Sequence, residues 1–171
     1  MMSDTAERLM DLAEGHISDA GYNSYSFRDL ASEAGIKSSS VHHHFPTKAA
    51  LTVAVMHRYT DKVLAAVADA TAGGVDVVSA YLAVFRDVLQ TTGRMCMGGA
   101  LGAETVGLPA EVAQAARDFF TRVTGDLAER LGGPDPRARA VQIFATLEGA
   151  MILARALGDT DVFDQATAAL T

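Results

Sequence analysis

The sequence predicts an all-α chain: a small three-helix head joined by a long helix to a larger helical body, about nine helices in all. Three observations carry this. Apolar residues recur at three- and four-residue intervals along most of the 171 residues, as one face of a helix requires. Glycines and the 4 prolines fall where helices begin or end. No segment alternates apolar and polar residues as a half-buried strand does. A chain of this length can bury about 70% of its unfolded surface. With 49% hydrophobic and 20% charged residues it is not disordered, and its uninterrupted apolar runs are far short of the ~20 residues that span a bilayer. The single Cys96 cannot form an internal disulfide, and no cationic-then-apolar leader opens the chain, so a reducing cytoplasm is the expected compartment.

The elements follow in order. Leu9, Leu12, Ala13, Ile17 and Ala20 line a first helix that Gly21 stops. Ser26 and Asp29 have the spacing of a capping box, with Tyr25 and Leu30 as its hydrophobic staple, so a second helix starts at Phe27 and ends at Gly35. After a tight turn a short third helix runs from Ser38 to Phe45, with Val41 and Phe45 inward, and Pro46 stops it. Thr47 caps a long helix reaching Gly73. The body continues with Val75–Thr92, a glycine-punctuated segment from Met95 to Thr105, and a helix from Leu108 and Pro109 to Leu131. Asp135 and Pro136, as N-cap and first turn, open a helix to Leu157, and a last helix runs from Asp161 to Leu170.

The formal net charge of −7 argues against a generic nucleic-acid binder. Its distribution revises that. From Ala34 to Thr60 there is no Asp or Glu, while Lys37, Lys48, Arg58 and four of the five histidines lie there. The pattern is a small anion-facing unit on an acidic body.

Two short helices around a glycine turn, the second rich in small polar residues, match a helix-turn-helix, whose second helix enters a major groove. An ordinary helical hairpin with a solvated face fits the same pattern. Lys48 bears on the choice: a cation in the first turn of a helix opposes the macrodipole unless an anion sits there. A DNA phosphate would be that anion, held with the free N–H groups after Thr47, while Arg28 and Lys37 could hold others. The run His42, His43, His44 is not a metal site, because consecutive helical side chains point about 100° apart. As phosphate donors these rings would make DNA binding tighten toward acid pH.

From Leu9 to Leu51 the chain resembles the tetracycline-repressor (TetR/AcrR) family of transcription regulators. The resemblance is carried by Gly21-Tyr22, Ser26-Phe27-Arg28-Asp29-Leu30-Ala31, Ala34-Gly35-Ile36, Val41 to Phe45, Pro46-Thr47-Lys48 and Leu51. It implies a DNA-binding domain over residues 3–62, with the helix-turn-helix at about 27–46. It also implies an effector-binding and dimerisation domain over 63–171. On this basis Arg28, Lys37, Ser38, Ser39, Ser40, His42, His43 and Lys48 are the expected DNA-binding residues. Two positions depart from the family: Lys37 stands where a capping Ser or Thr is usual, and His42 where an aromatic phenol is usual. Ser38 is expected to take over the cap.

The resemblance also implies a homodimer on double-stranded operator DNA and a small-molecule effector. Tyr81, Phe85, Met95, Cys96, Met97 and Phe119 are the candidate effector-binding residues, adaptable thioethers and a thiol beside aromatic rings. The same residues suit a plain core. Ile143, Leu147, Ala150, Met151, Ala154, Leu157, Phe163 and Leu170 are the candidate dimer interface, and an intrachain core fits that stripe equally. Glu148, in an otherwise apolar helix, and Arg155, two turns on, are expected in a rim salt bridge or on a solvated face, the alternative being that one of them is a polar contact for ligand or partner. Cofactors, metal and membrane are not expected. The function expected is a repressor released by its effector. The alternatives are a regulator sensing electrophiles or oxidants through Cys96, a small helical enzyme, or a helical interaction module. No nucleophile elbow, phosphate loop or facing pair of carboxylates supports the enzyme.

Overall fold

The computed structural model describes residues 3–171, which form nine α-helices, two single-turn 3-10 helices (Tyr22–Ser24 and Thr105–Gly107) and no strand. The α-helices are α1 (Asp4–Ala20), α2 (Phe27–Ala34), α3 (Ser38–His44), α4 (Lys48–Ala72), α5 (Val77–Thr92), α6 (Met97–Ala103), α7 (Ala110–Leu131), α8 (Pro136–Leu157) and α9 (Asp161–Thr167).

Local chemistry explains most boundaries. Ser26 and Asp29 form the capping box: the Asp29 N–H donates to Ser26 Oγ at 3.3 Å and the Ser26 N–H to Asp29 Oδ2 at 2.8 Å. Such a cap contributes about 1 kcal/mol. Gly35 adopts the left-handed conformation (φ 66°), which lets the Ile36 N–H return to the Ala31 carbonyl at 2.9 Å and turns the chain sharply into α3. Thr47 Oγ1 accepts the Ala50 N–H at 3.0 Å and starts α4.

Four details differ from the sequence reading. Lys37 holds the N-cap position of α3 with no side-chain cap bond; Ser38 is already helical, so its hydroxyl does not replace the missing cap. Asp76, unforeseen, caps α5 by accepting the Ser79 N–H at 3.0 Å, which moves the start from Val75 to Val77. Asp135 stands at the N-cap of α8 but is left-handed (φ 56°), and its carboxylate makes no cap bond. The last helix stops at Thr167 rather than Leu170, its final residues closing as a turn.

The chain packs as two compact units. One comprises the residues up to Tyr59 together with Met97–Phe119; the other comprises Thr60–Cys96 with Phe120–Thr171. This packing division differs from the functional division expected between residues 62 and 63, because it gathers α6 and the start of α7 with the N-terminal helices. In the first unit α1 packs on α2, α3 and α6 around buried Leu9, Ile17, Leu30, Val41, Leu51 and Leu101. Gly98 on α6 is a close-approach glycine, since a Cβ there would overlap the Phe119 ring of α7. In the second unit α5 and α9 pack on α8, around Tyr81, Phe85, Leu89, Leu147 and Phe163.

The helix α8 is long and apolar enough, by length and composition, to cross a membrane. Its apolar residues divide into two stripes. Ile143, Leu147, Ala150, Met151 and Ala154 are buried within the chain, while Val141, Ile152, Leu153 and Leu157 are exposed, Leu157 to 67%.

Candidate nucleic-acid interface and effector core

The capping box and the Gly35 turn hold α2 and α3 as a helix-turn-helix, with Val41 locking α3 onto the core. Lys37, Ser38, Ser39, His42 and His43 are exposed on α3 and its lead-in, as is Arg28 on α2, and Ser40 is half-exposed. The His42 ring meets Phe27 edge-on, with centroids 4.9 Å apart, which fixes one histidine against the start of α2. Of the expected residues, Ser38, Ser39, Ser40, His42 and His43 therefore share the acid-free α3, with Lys37 at its N-cap and Arg28 on α2.

Lys48 is placed differently. Its Nζ donates to the Tyr25 carbonyl at 2.6 Å and lies 4.5 Å and 4.4 Å from the centroids of the Tyr22 and Tyr25 rings. The carbonyl and two ring faces offset the opposing helix dipole, so no anion is needed to explain a cation at this position. Partial burial pulls its pKa below the ordinary lysine value against the opposing pull of Asp29 and Glu104. Tyr25 is itself anchored, its hydroxyl 3.0 Å from Thr52 Oγ1, and burial pushes its pKa up to about 12. The Tyr22 N–H donates to Glu104 Oε2 at 3.0 Å, which ties the segment beyond α6 to the turn after α1. Gly21 has φ +80° there, and a Cβ would collide with the Glu104 carboxylate.

Arg58 leaves the anion-facing window altogether. Its guanidinium reaches Glu7 at 2.9 Å, Asp11 at 2.8 Å and Glu14 at 2.9 Å on α1, with 16% of its side chain exposed. Sequence reading missed this because the three acids lie at helical spacing more than forty residues away. The contacts of Tyr22 and Tyr25 with Lys48, and of Tyr22 with Glu104, were missed for the same reason: their spacing carries no local signal.

The six candidate effector residues are all buried, with Tyr81, Phe85, Met95 and Cys96 in the second unit and Met97 and Phe119 in the first. The Tyr81 hydroxyl is engaged, donating to Asp126 Oδ2 at 2.8 Å and lying 3.2 Å from the Val123 carbonyl; burial drives its pKa well above the usual phenol range. Phe144, absent from the expected set, centres the aromatic cluster of the second unit: its ring is 5.5 Å from Phe85, 6.0 Å from Phe120 and 6.5 Å from Tyr81. Two surface clefts in this unit, one between Thr121 and Arg137 and one between Thr71 and Arg130, are lined by none of the expected effector residues.

Glu148 is not on a polar rim. Both carboxyl oxygens are buried without a hydrogen-bond partner, and burial pushes the carboxyl up to about 7 while the neighbouring Cys96 thiol pulls the other way. Arg155, by contrast, is exposed, and its Nε donates to the Gly93 carbonyl at 3.1 Å. Of the expected dimer residues, Ile143, Leu147, Ala150, Met151, Ala154 and Phe163 are buried against their own chain, Leu157 is exposed and Leu170 half-exposed. Among the described residues no group of three His, Cys, Asp or Glu side chains gathers as a metal site.

An all-α chain that presents a helix-turn-helix with an exposed, polar second helix has the form of a DNA-binding regulator. Residues 9–55 match the family model of bacterial regulatory proteins of the tetR family, and residues 74–169 match that of the LmrA/YxaF-like transcriptional regulator C-terminal domain. A TetR-family regulator from Agrobacterium tumefaciens superposes with a TM-score of 0.91 at 28% identity, covering 97% of this chain and 95% of that one. A TetR regulator from Legionella pneumophila superposes at 0.87 and 31% identity, with the same coverage. The reduced form of NemR from E. coli shares the fold, with a TM-score of 0.83 at 21% identity over 98% of this chain and 96% of that one. No curated protein sequence matches the chain. The chain belongs to the TetR family of transcriptional regulators. Regulators of this family bind operator DNA through the helix-turn-helix and act as dimers.

Proposed function

We propose that this regulator is a repressor, released from its operator when a small molecule binds the α-helical body. The supporting observation is the exposed face of α3, where Lys37, Ser38, Ser39, His42 and His43 stand together with no acid from Ala34 to Thr60. Short hydroxyls let the backbone approach base edges, and the flanking Arg28 and Lys37 take phosphates. In the free protein Lys48 braces the Tyr22–Tyr25 segment; one of its three donors is spent on the Tyr25 carbonyl, leaving others for a phosphate. DNA binding is assigned to residues 3–62 and effector binding with dimerisation to 63–171. Because α6 packs on α1 within one compact unit, a shift of α6 is felt by the head.

Two heads reading a pseudo-palindrome need a two-fold partner. The exposed α8 stripe of Val141, Ile152, Leu153 and Leu157 supports this helix, rather than its buried stripe, as the dimer surface. The test of the whole reading is binding of the purified protein to DNA fragments from around its own gene, against excess random-sequence competitor and at several salt concentrations. A retained fragment with a steep salt dependence is expected; equal retention of every fragment at every salt concentration would refute sequence-specific regulation at that locus.

A second reading rests on the placement of Cys96 immediately before the first residue of α6, where a helix N-terminus favours a thiolate: the thiol is the sensor, and its modification by an electrophile or oxidant releases the DNA. Full burial of Cys96 stands against it. Release by electrophiles that is unchanged in Cys96→Ser would remove this reading.

A further inference from the structure

Glu148 lies one turn beyond Phe144 on α8, the helix packed on α5. Tyr81 and Phe85 of α5 meet Phe144, and further along Gly93 meets Arg155, so the two helices run parallel. The Glu148 carboxyl oxygens are closed off from solvent, with no N–H or O–H donor on either. The polar group beside the carboxyl is the Cys96 thiol, also fully buried and a weak donor.

An acceptor-rich group left unpaired in an apolar interior is costly, and native structures rarely retain one without a partner to come. Elsewhere in this unit buried polar groups are satisfied: the Tyr81 hydroxyl has Asp126, and the Thr167 hydroxyl has the Phe163 carbonyl at 2.8 Å. Among the described residues of this unit, Glu148 is the exception.

We infer that the Glu148 carboxyl, with the Cys96 thiol at its side, is the polar anchor of the effector site, and that the effector is an apolar molecule bearing a protonated amine. The inference rests on the effector-release reading above and names the ligand class which that reading leaves open. A carboxylate is acceptor-only, so the ligand must bring donors. An ammonium brings up to three, with the charge that makes such bonds short and strong. A carboxylate ligand is repelled, and an alcohol supplies one neutral donor. The raised pKa fits, because a group poised near neutrality ionises readily once a cation arrives. The apolar body of the ligand replaces the contact between the Phe85 and Phe144 rings, whose centroids are 5.5 Å apart one turn before Glu148. Met95, next to Cys96 in the chain, and Met151, one turn beyond Glu148, have the flexible thioethers that move aside to admit it.

The test uses the full chain at mildly alkaline pH. Thermal shift and calorimetry are run with 2-phenylethylamine, 4-phenylbutylamine and hexylamine, each beside its alcohol and carboxylate counterpart. The amines are expected to stabilise the protein and to bind at least about tenfold tighter than the alcohols, with no binding by the carboxylates. Glu148→Gln, which keeps the volume and removes the charge, is expected to abolish that preference, and Cys96→Ala to retain it. Equal binding of amines and alcohols overturns the inference. So does an amine preference that survives Glu148→Gln, or no binding by any amine, which would leave the carboxyl with a trapped water as its partner. Operator release is scored separately. Glu148-dependent amine binding that leaves the DNA complex intact supports the anchor and refutes release. Release by a different effector, with no amine bound, does the reverse.

Discussion

Two cations of the first compact unit and one carboxyl of the second are treated in opposite ways. In the first, Lys48 has a carbonyl and two aromatic faces, and Arg58 has three carboxylates from α1. In the second, Glu148 has only a thiol. Paired charges hold one arrangement, and removing one partner is costly. A buried carboxyl with no such partner raises the energy of its ionised form and favours any state that supplies a partner. Lys48 and Arg58 are thus held by contacts already made, and the Glu148 carboxyl is not.

The sharpest way to break this comparison is Glu148→Gln. A carboxyl raised from 4.5 to about 7 by folding keeps its proton in the folded state. Its contribution is therefore fully present below the unfolded value and is lost as pH rises toward the folded one. The loss amounts to about 3 kcal/mol at alkaline pH. Glu148→Gln is expected to stabilise the protein by that order at pH of about 8 and hardly at all at pH of about 4.5. Denaturant midpoints at the two pH values measure it, and a pH-independent difference would show that the carboxyl is not buried in solution.

Arg58→Ala is the converse experiment in the head. Glu7, Asp11 and Glu14 are left facing one another on α1, at a cost of about 2 kcal/mol, less than a fully buried pair because the carboxylates are partly hydrated. Urea unfolding checks it, and high salt should shrink the loss.

Lys48→Ala comes next, at about 1 kcal/mol of stability from the carbonyl bond and the ring contacts. If the cation also touches a phosphate, the slope of log affinity against log salt falls by about one. An unchanged slope with lowered stability would confine Lys48 to bracing the Tyr22–Tyr25 segment. The smallest effect on the chain's own stability, within about 0.5 kcal/mol, is expected for Ile152→Glu with Leu153→Glu on the exposed stripe. Sedimentation should nonetheless show the dimer dissociated; an intact dimer would move the interface elsewhere.

Much of the fold was legible because its signals are local. The Ser26 and Asp29 box, the Gly35 turn, Thr47 before α4 and the glycine stops each act within four residues, and the helix-turn-helix is assembled from these. Asp76 shows the limit even there: a cap one residue further on went unread because Val75 also fitted the apolar period. The exposed face of α3 was legible for the same reason, since Val41 alone of that helix had to go inward.

What the sequence by itself determined is therefore the helical alphabet and the DNA-reading head, through caps, breaks and a helical period that operate between neighbours. The tertiary structure alone decided which of the two apolar stripes on α8 is core, that Arg58 answers α1 rather than DNA, and that Lys48 rests on two tyrosines. It also decided that Glu148 is buried beside Cys96, fifty-two residues away in the chain. A periodic pattern says that a face is apolar and leaves open what covers it; burial and charge pairing depend on residues brought together only when the helices pack.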